Sequence, residues 1–152
     1  MTIEANLAAL GVSLPDAGAP LANYVPYVQV GSLLHVSGQI PIGPVGPITG
    51  KLGDTMKTEE GAEAAKICAI SLLSQARAAA GGDLNRIKRL VKIVGFVNST
   101  PDFTDQPKVV NGASDFFVAA MGEAGRHARS AVSAASLPFG VAVEVEGIFE
   151  LA

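Results

Sequence analysis

Tryptophan is absent, cysteine occurs once, and charged side chains fill only 16% of the 152 positions. Each scarcity excludes something. A lone Cys68 rules out an intramolecular disulfide and points to a reducing, cytoplasmic setting. Only two histidines, His35 and His127, accompany it, too few to build a metal centre, so no metal is expected. Aromatic residues make up 5%, and the densest basic stretch is the scattered "RIKRLVK" of residues 86–92. A nucleic-acid binder needs a cationic footprint and stacking rings, and a net charge of −3 with a pI near 5.3 opposes that role. No stretch reaches the ~20 apolar residues that cross a bilayer. Glu4 also stands where a signal peptide would carry positive charge. Neither nucleic acid nor membrane is an expected partner.

Apolar residues, by contrast, are plentiful: 49% of the chain, with a mean hydropathy of +0.37. A chain of this length forms one domain that buries roughly 70% of its unfolded surface. So few charges require either a very complete core or a second apolar surface hidden in an oligomer. The oligomer is the expectation.

Turn and period signals divide the chain. A short helical turn over residues 5–12 precedes a Pro/Gly/Ala lead-in, "LPDAGAPLAN". "YVPYVQV" and "LLHVSGQI" read as strands joined through Gly31-Ser32, where a leading glycine suits a type II′ hairpin. Residues 41–54, with four Gly and three Pro, read as a loop. Thr58 is the expected cap of a helix to Ala80, with Glu59 and Glu60 favouring its positive end. Residues 87–97 read as a strand, and Asp105 is the expected cap of a second helix to Met121. Two final strands fall near 128–134 and 141–150, and the short "LPFG" turn between them suggests hairpin neighbours. The predicted class is α+β, with two helices on one face of a sheet.

Strand alternation then raises the question of what covers the other face. Leu34, Val36 and Ile40 share one side of the first hairpin, opposite His35, Ser37 and Gln39. Val141, Val143, Val145 and Phe149 share a side, opposite Glu144 and Glu146. The face away from the valines is predicted to collect Tyr27, His35, Ser37, Gln39, Arg129, Glu144 and Glu146. Arg129 offers a planar fork matched to a carboxylate, and either Glu could serve as a base for water. An ordinary cross-strand ion pair between Arg129 and one Glu competes with that reading. A simple hairpin register favours Glu146 as the partner, but spacing alone does not choose.

"PYVQVGSLLHVSGQIP", a following helix, and "ARSAV…SLP…VAVEVEGIFEL" together resemble the RidA (YjgF) family of imine deaminases, over residues 23–151. The resemblance makes residues 1–22 an N-terminal extension and residues 23–152 a single RidA-like domain. It implies a chorismate-mutase-like α+β fold in a homotrimer, with inward-packed sheets and active sites in clefts between subunits. It implies hydrolytic deamination of 2-imino/enamine acids to 2-keto acids and ammonia, without cofactor or metal. By matching motif, Arg129 corresponds to the arginine that clamps the substrate carboxylate, and Glu144 to the glutamate that orients or activates water. Tyr27, Ser37 and Gly38, Asn111 and Ala131 correspond to substrate-binding positions. The chain departs from the family pattern in three ways: Ala131 stands where active members commonly carry cysteine, the 41–54 loop is unusually rich in Pro and Gly, and the N-terminus is extended. These features point to a side branch.

Three other readings compete. A non-catalytic trimer would bind a small carboxylate metabolite or a protein partner. A nuclease or translation inhibitor, a role sometimes assigned within the family, is opposed by the acidic pI. Deamination of a larger aminated dicarboxylate would need extra positive charge, for which Arg126 is the candidate.

Overall fold

The computed structural model describes residues 1–18 and 22–152. Part of the predicted lead-in, residues 19–21, lies outside the described residues. In chain order the elements are α1 (Ile3–Ala9), β1 (Tyr27–Val30), β2 (Leu33–Gln39), β3 (Ile42–Gly43), β4 (Gly46–Pro47) and α2 (Thr58–Ala79). They continue with β5 (Ile87–Asn98), α3 (Gln106–Met121), β6 (Ala128–Ala134) and β7 (Val143–Leu151). Five strands form one sheet in the order β1-β2-β7-β5-β6, and β3 and β4 form a separate ladder within the 41–54 loop. The fold is α+β, with α2 and α3 on one face of the sheet.

Local chemistry accounts for most of these boundaries. Gly31 takes φ +61° between Val30 and Leu33, and Ser32 does not share its sign, so the hairpin turn matches the II′ expectation. The first helix is capped by Thr2, whose hydroxyl accepts from the Ala5 amide at 3.1 Å. Of the two predicted caps, one differs in position and the other holds its position without a capping bond. Lys57, not Thr58, occupies the cap position of α2, and no side chain bonds the free amides there. Asp105 does precede α3, but its carboxylate reaches Lys108 at 3.6 Å rather than the helix backbone.

The last two strands are not hairpin neighbours. β6 pairs with β5 in parallel, and β5 lies between it and β7. A parallel pair cannot be joined by a tight turn, so α3 provides the crossover from β5 to β6. The return from β6 to β7 passes the end of β5, where the buried Asn98 fastens it. Its Nδ2 donates to the Val141 carbonyl at 3.1 Å, and its Oδ1 accepts from Lys51 Nζ at 2.8 Å.

The core lies between the sheet and the two long helices. Leu34, Leu72, Ile93, Val97, Phe117 and Phe149 are fully buried there. Phe117 meets Phe149 edge-on, with centroids 6.0 Å apart at 68°. Small residues let α2 and α3 approach closely: a Cβ at Gly112 would sit 1.9 Å from the Ala62 carbonyl oxygen. The opposite face of the sheet is bare in the single chain. Val28 is 51%, Val30 67% and Val132 44% exposed.

The helix seam generates a first prediction. Gly112→Ala forces two backbones apart and should cost about 3 kcal/mol, read as a lower denaturant midpoint. An unchanged midpoint would mean that the two helices are not in that contact.

Candidate functional site

Sequence alternation groups Arg129 with Glu144 on one face of the sheet; the structure separates them. Along β5, Ile93, Gly95 and Val97 face the helices: Ile93 and Val97 are fully buried, and a Cβ on Gly95 would strike Val110 of α3. Arg129 is the register partner of Ile93, so it shares the helix face. Glu144 is the partner of Phe96 and points to the open face. Two strand spacings and three residues of offset put their backbones about 14 Å apart. Ala131 and Ser133 follow Arg129, while Ser130 and Val132 take the open side. Tyr27 pairs with Val36 and packs on the core, whereas Val28 pairs with the exposed His35. The chain therefore carries two half-sites.

The first half-site is a cavity of about 530 Å³ beside the irregular end of β2, where the register against β7 shifts between Val36 and Gln39. Ser37, Gly38, Glu144, Tyr24, Asp16 and Gln75 are among its lining residues. The Ser37 hydroxyl donates to the Val25 carbonyl at 3.0 Å, which fixes the approach to β1. Gly38 leaves room for the glutamate: a Cβ there would lie 3.0 Å from Glu144 Cδ and Oε1. Glu144 is half-buried, and this desolvation raises its pKa above the usual carboxylate value, with the charge of Glu146 adding to the rise. Such a carboxylate is well suited to exchanging a proton with water.

Sequence reasoning missed two parts of this wall. Residues 15–18 reach the cavity because Arg77 Nη2 donates to the Pro15 carbonyl at 3.0 Å and Gln75 Nε2 to the Gly18 carbonyl at 3.1 Å. Among the described residues, Gln75 Oε1 is the buried polar side-chain atom without a hydrogen-bond partner. A glutamine amid the alanines of a long amphipathic helix was the available signal.

The second half-site is cationic. Arg129 Nη1 donates to Ser114 Oγ at 3.1 Å, and Nη2 donates to the Pro107 carbonyl at 3.2 Å. Asn111 lies between these two α3 residues at helical spacing, so it shares the face turned toward Arg129. Among the described residues, no carboxylate lies within 4 Å of the Arg129 guanidinium. The ordinary ion pair between Arg129 and Glu144 or Glu146, the competing reading, is therefore not made. Arg126, the other candidate cation, is held by Glu123 at 3.1 Å.

β6 is an edge strand, and the Ala134 carbonyl turns toward β5 to accept from Ser99. In a parallel ladder the backbone groups alternate sides, so those of Arg129 and Ala131 face outward, away from β5. Cys68 belongs to neither half. It is fully buried, its Sγ lies 3.8 Å from the Val143 carbonyl, and burial pushes its thiol pKa far up. Among the described residues no three metal-ligating side chains converge, and no helix is long and apolar enough to cross a membrane.

Comparison with known proteins gives this geometry a context. A family model described as "YjgF/chorismate mutase-like, putative endoribonuclease" matches residues 4–150. Protein TCP17 of Trypanosoma cruzi is 54% identical over 98% of this chain and 94% of its own. The crystal structure of Atu1372 from Agrobacterium tumefaciens, a protein of unknown function, is similar with a TM-score of 0.92 and 45% identity, over 99% of this chain and 92% of that one. Escherichia coli TdcF, solved with bound serine, is similar with a TM-score of 0.61 and 25% identity, over 90% and 94% of the two chains.

The Glu144 environment makes a testable statement. Glu146→Gln removes the like charge and should lower the Glu144 pKa, read by a carboxyl-carbon NMR titration. The folded chain holds the Glu144 proton more tightly than the unfolded one. Stability should therefore fall as pH rises from the ordinary value near 4.5 through the folded value. In Glu146→Gln that window should narrow; an unaltered midpoint would leave burial as the sole cause.

Proposed function

The chain belongs to the YjgF/chorismate mutase-like family, and from that premise we propose that it hydrolyses reactive 2-imino/enamine acids to 2-keto acids and ammonia. The observation that carries this reading is the half-buried Arg129, which has no carboxylate partner among the described residues. A half-buried guanidinium without a counter-charge is a ready site for an anion. A substrate carboxylate completes it with two parallel hydrogen bonds.

Arg129 and Glu144 lie on opposite faces, so one chain does not bring them to one substrate. A second copy, offering its β6 edge and Arg129 to the Glu144 cavity of the first, assembles a complete cleft. We take the assembly to be a homotrimer, and the exposed Val28, Val30 and Val132 support such a covered face. Within the cleft Arg129 clamps the carboxylate, with Asn111 and the outward backbone of Ala131 beside it. From the other chain come Ser37, Gly38 and Glu144, and Tyr27 supports them from the packed side. Water adds to the imine carbon as Glu144 takes its proton. Glu144 returns that proton to the nitrogen, and the carbinolamine expels ammonia as the C–N bond breaks. The hydroxyl proton passes to the departing nitrogen through Glu144 as the keto group forms. Holding the imine and water together supplies most of the acceleration, because a protonated imine is already electrophilic. The distant fit to TdcF beside the close fit to Atu1372 supports a side branch with its own substrate range.

TdcF with bound serine favours a second reading, a trimer that binds a small carboxylate metabolite without turnover. One experiment separates the two. An amino-acid oxidase generates imines in the presence of this protein while ammonia release is followed. Faster release, lost by at least about 100-fold in Arg129→Ala and strongly reduced in Glu144→Gln, supports the deaminase. Binding of 2-oxobutanoate without acceleration across a panel of imino acids supports the binder.

A further inference from the structure

Arg129 is the end of a longer chain of hydrogen bonds. Ser114 Oγ, which accepts from Arg129 Nη1 at 3.1 Å, lies 2.9 Å from His127 Nε2. His127 Nδ1 lies 2.6 Å from the Gly125 carbonyl oxygen. The directions are forced. A carbonyl only accepts, so Nδ1 carries the hydrogen, and in the neutral ring Nε2 is then an acceptor. The Ser114 hydroxyl must therefore donate to Nε2, which turns its lone pairs toward Arg129. Donation runs in one sense from Arg129 to Ser114, and from Ser114 to His127, which donates in turn to Gly125. The imidazole is also fixed sideways, edge-on to the fully buried Phe117 at 6.1 Å and 73°.

We infer that Ser114 and His127 form a positioning relay that sets which N–H groups of Arg129 face the ligand. Affinity for a carboxylate-bearing 2-imino or 2-oxo acid then depends on two side chains that never touch it. The inference rests on the reading of Arg129 as the carboxylate clamp. Guanidinium offers five N–H donors, and the relay and Pro107 engage two of them, so the remaining three keep one orientation.

Protonation of His127 breaks the sequence of donors. Nε2 becomes a donor, Ser114 receives two N–H groups and its own hydrogen must turn elsewhere. A second positive charge also stands beside Arg129. The other charged groups nearby are Arg126 and Glu123, bonded to each other, Arg89 on the Arg126 carbonyl, and Asp115 next to Ser114 on α3. Burial holds the His127 pKa below the ordinary imidazole value; the Gly125 bond opposes this and Arg129 adds to it. The relay is thus intact at neutral pH and fails only on acidification through the lowered His127 pKa, beneath the ordinary imidazole range.

The test measures calorimetric Kd for 2-oxobutanoate, with KM and kcat for oxidase-generated imines, across pH. Ser114→Ala and His127→Phe should weaken binding and raise KM by about threefold to tenfold at neutral pH, with kcat little changed. His127→Gln offers an oxygen to Ser114 and an N–H to Gly125, so it should keep neutral affinity and lose the acid weakening seen in the native protein. Should Ser114→Ala and His127→Phe bind like the native protein while Arg129→Ala does not, the relay is overturned and the clamp stands. Should Arg129→Ala itself bind normally, the clamp reading fails and takes the relay with it. Where a variant does not fold, the native acid profile decides: affinity that stays flat across the His127 titration overturns the relay.

Discussion

The position of β5 between β6 and β7 governs the molecule. Because β6 runs parallel to β5, the chain must cross the sheet through α3, and the return to β7 must pass over Asn98. That path hangs Arg129 from an edge strand beneath α3 and sets Glu144 in an interior strand on the other side. The chemistry of the site is therefore divided by topology before any side chain is considered. A guanidinium with no carboxylate partner among the described residues and a half-buried carboxylate with a raised pKa are left on opposite faces of one chain.

Much of this was legible in the residues. The alternation of β7 is unbroken from Val143 to Phe149, and the valines there do face the helices. The signals for both long helices and the Gly31 turn also hold, because each depends on local chemistry. What alternation did not convey was which side of β1 and β6 the helices cover. Val28 and Val30 are more apolar than Tyr27 and Gln29, so hydropathy puts the valines inside, yet they lie outside. The open face carries apolar side chains beside its polar ones, and in strands such as β1 a pattern of two then gives no label for inside and outside. In β6 the contrast is weaker still, since Ala and Ser fit either face. The β6–β7 pairing failed for a different reason: a short linker is consistent with a hairpin but does not require one, and no local signal reports the strand between.

The candidate site divides along the same line. Glu144, Ser37 and Gly38 are neighbours because β2 and β7 pair, a long-range contact that the patterning of neither strand reports. Alternation put Ser37 and Glu144 on one face, and the family resemblance added Gly38. Ser114 and His127 escaped notice because each is ordinary for its element and becomes informative only through the other. Gln75 was similarly hidden in the helix it stands on.

Cys68 has one more significance. A catalyst that handles imines works beside electrophiles, and the softest nucleophile in any protein is a thiolate. Here the lone sulfur is sealed beneath the sheet against the Val143 carbonyl, held protonated by its burial. The chain thus keeps its single thiol out of reach of the compounds it is proposed to consume.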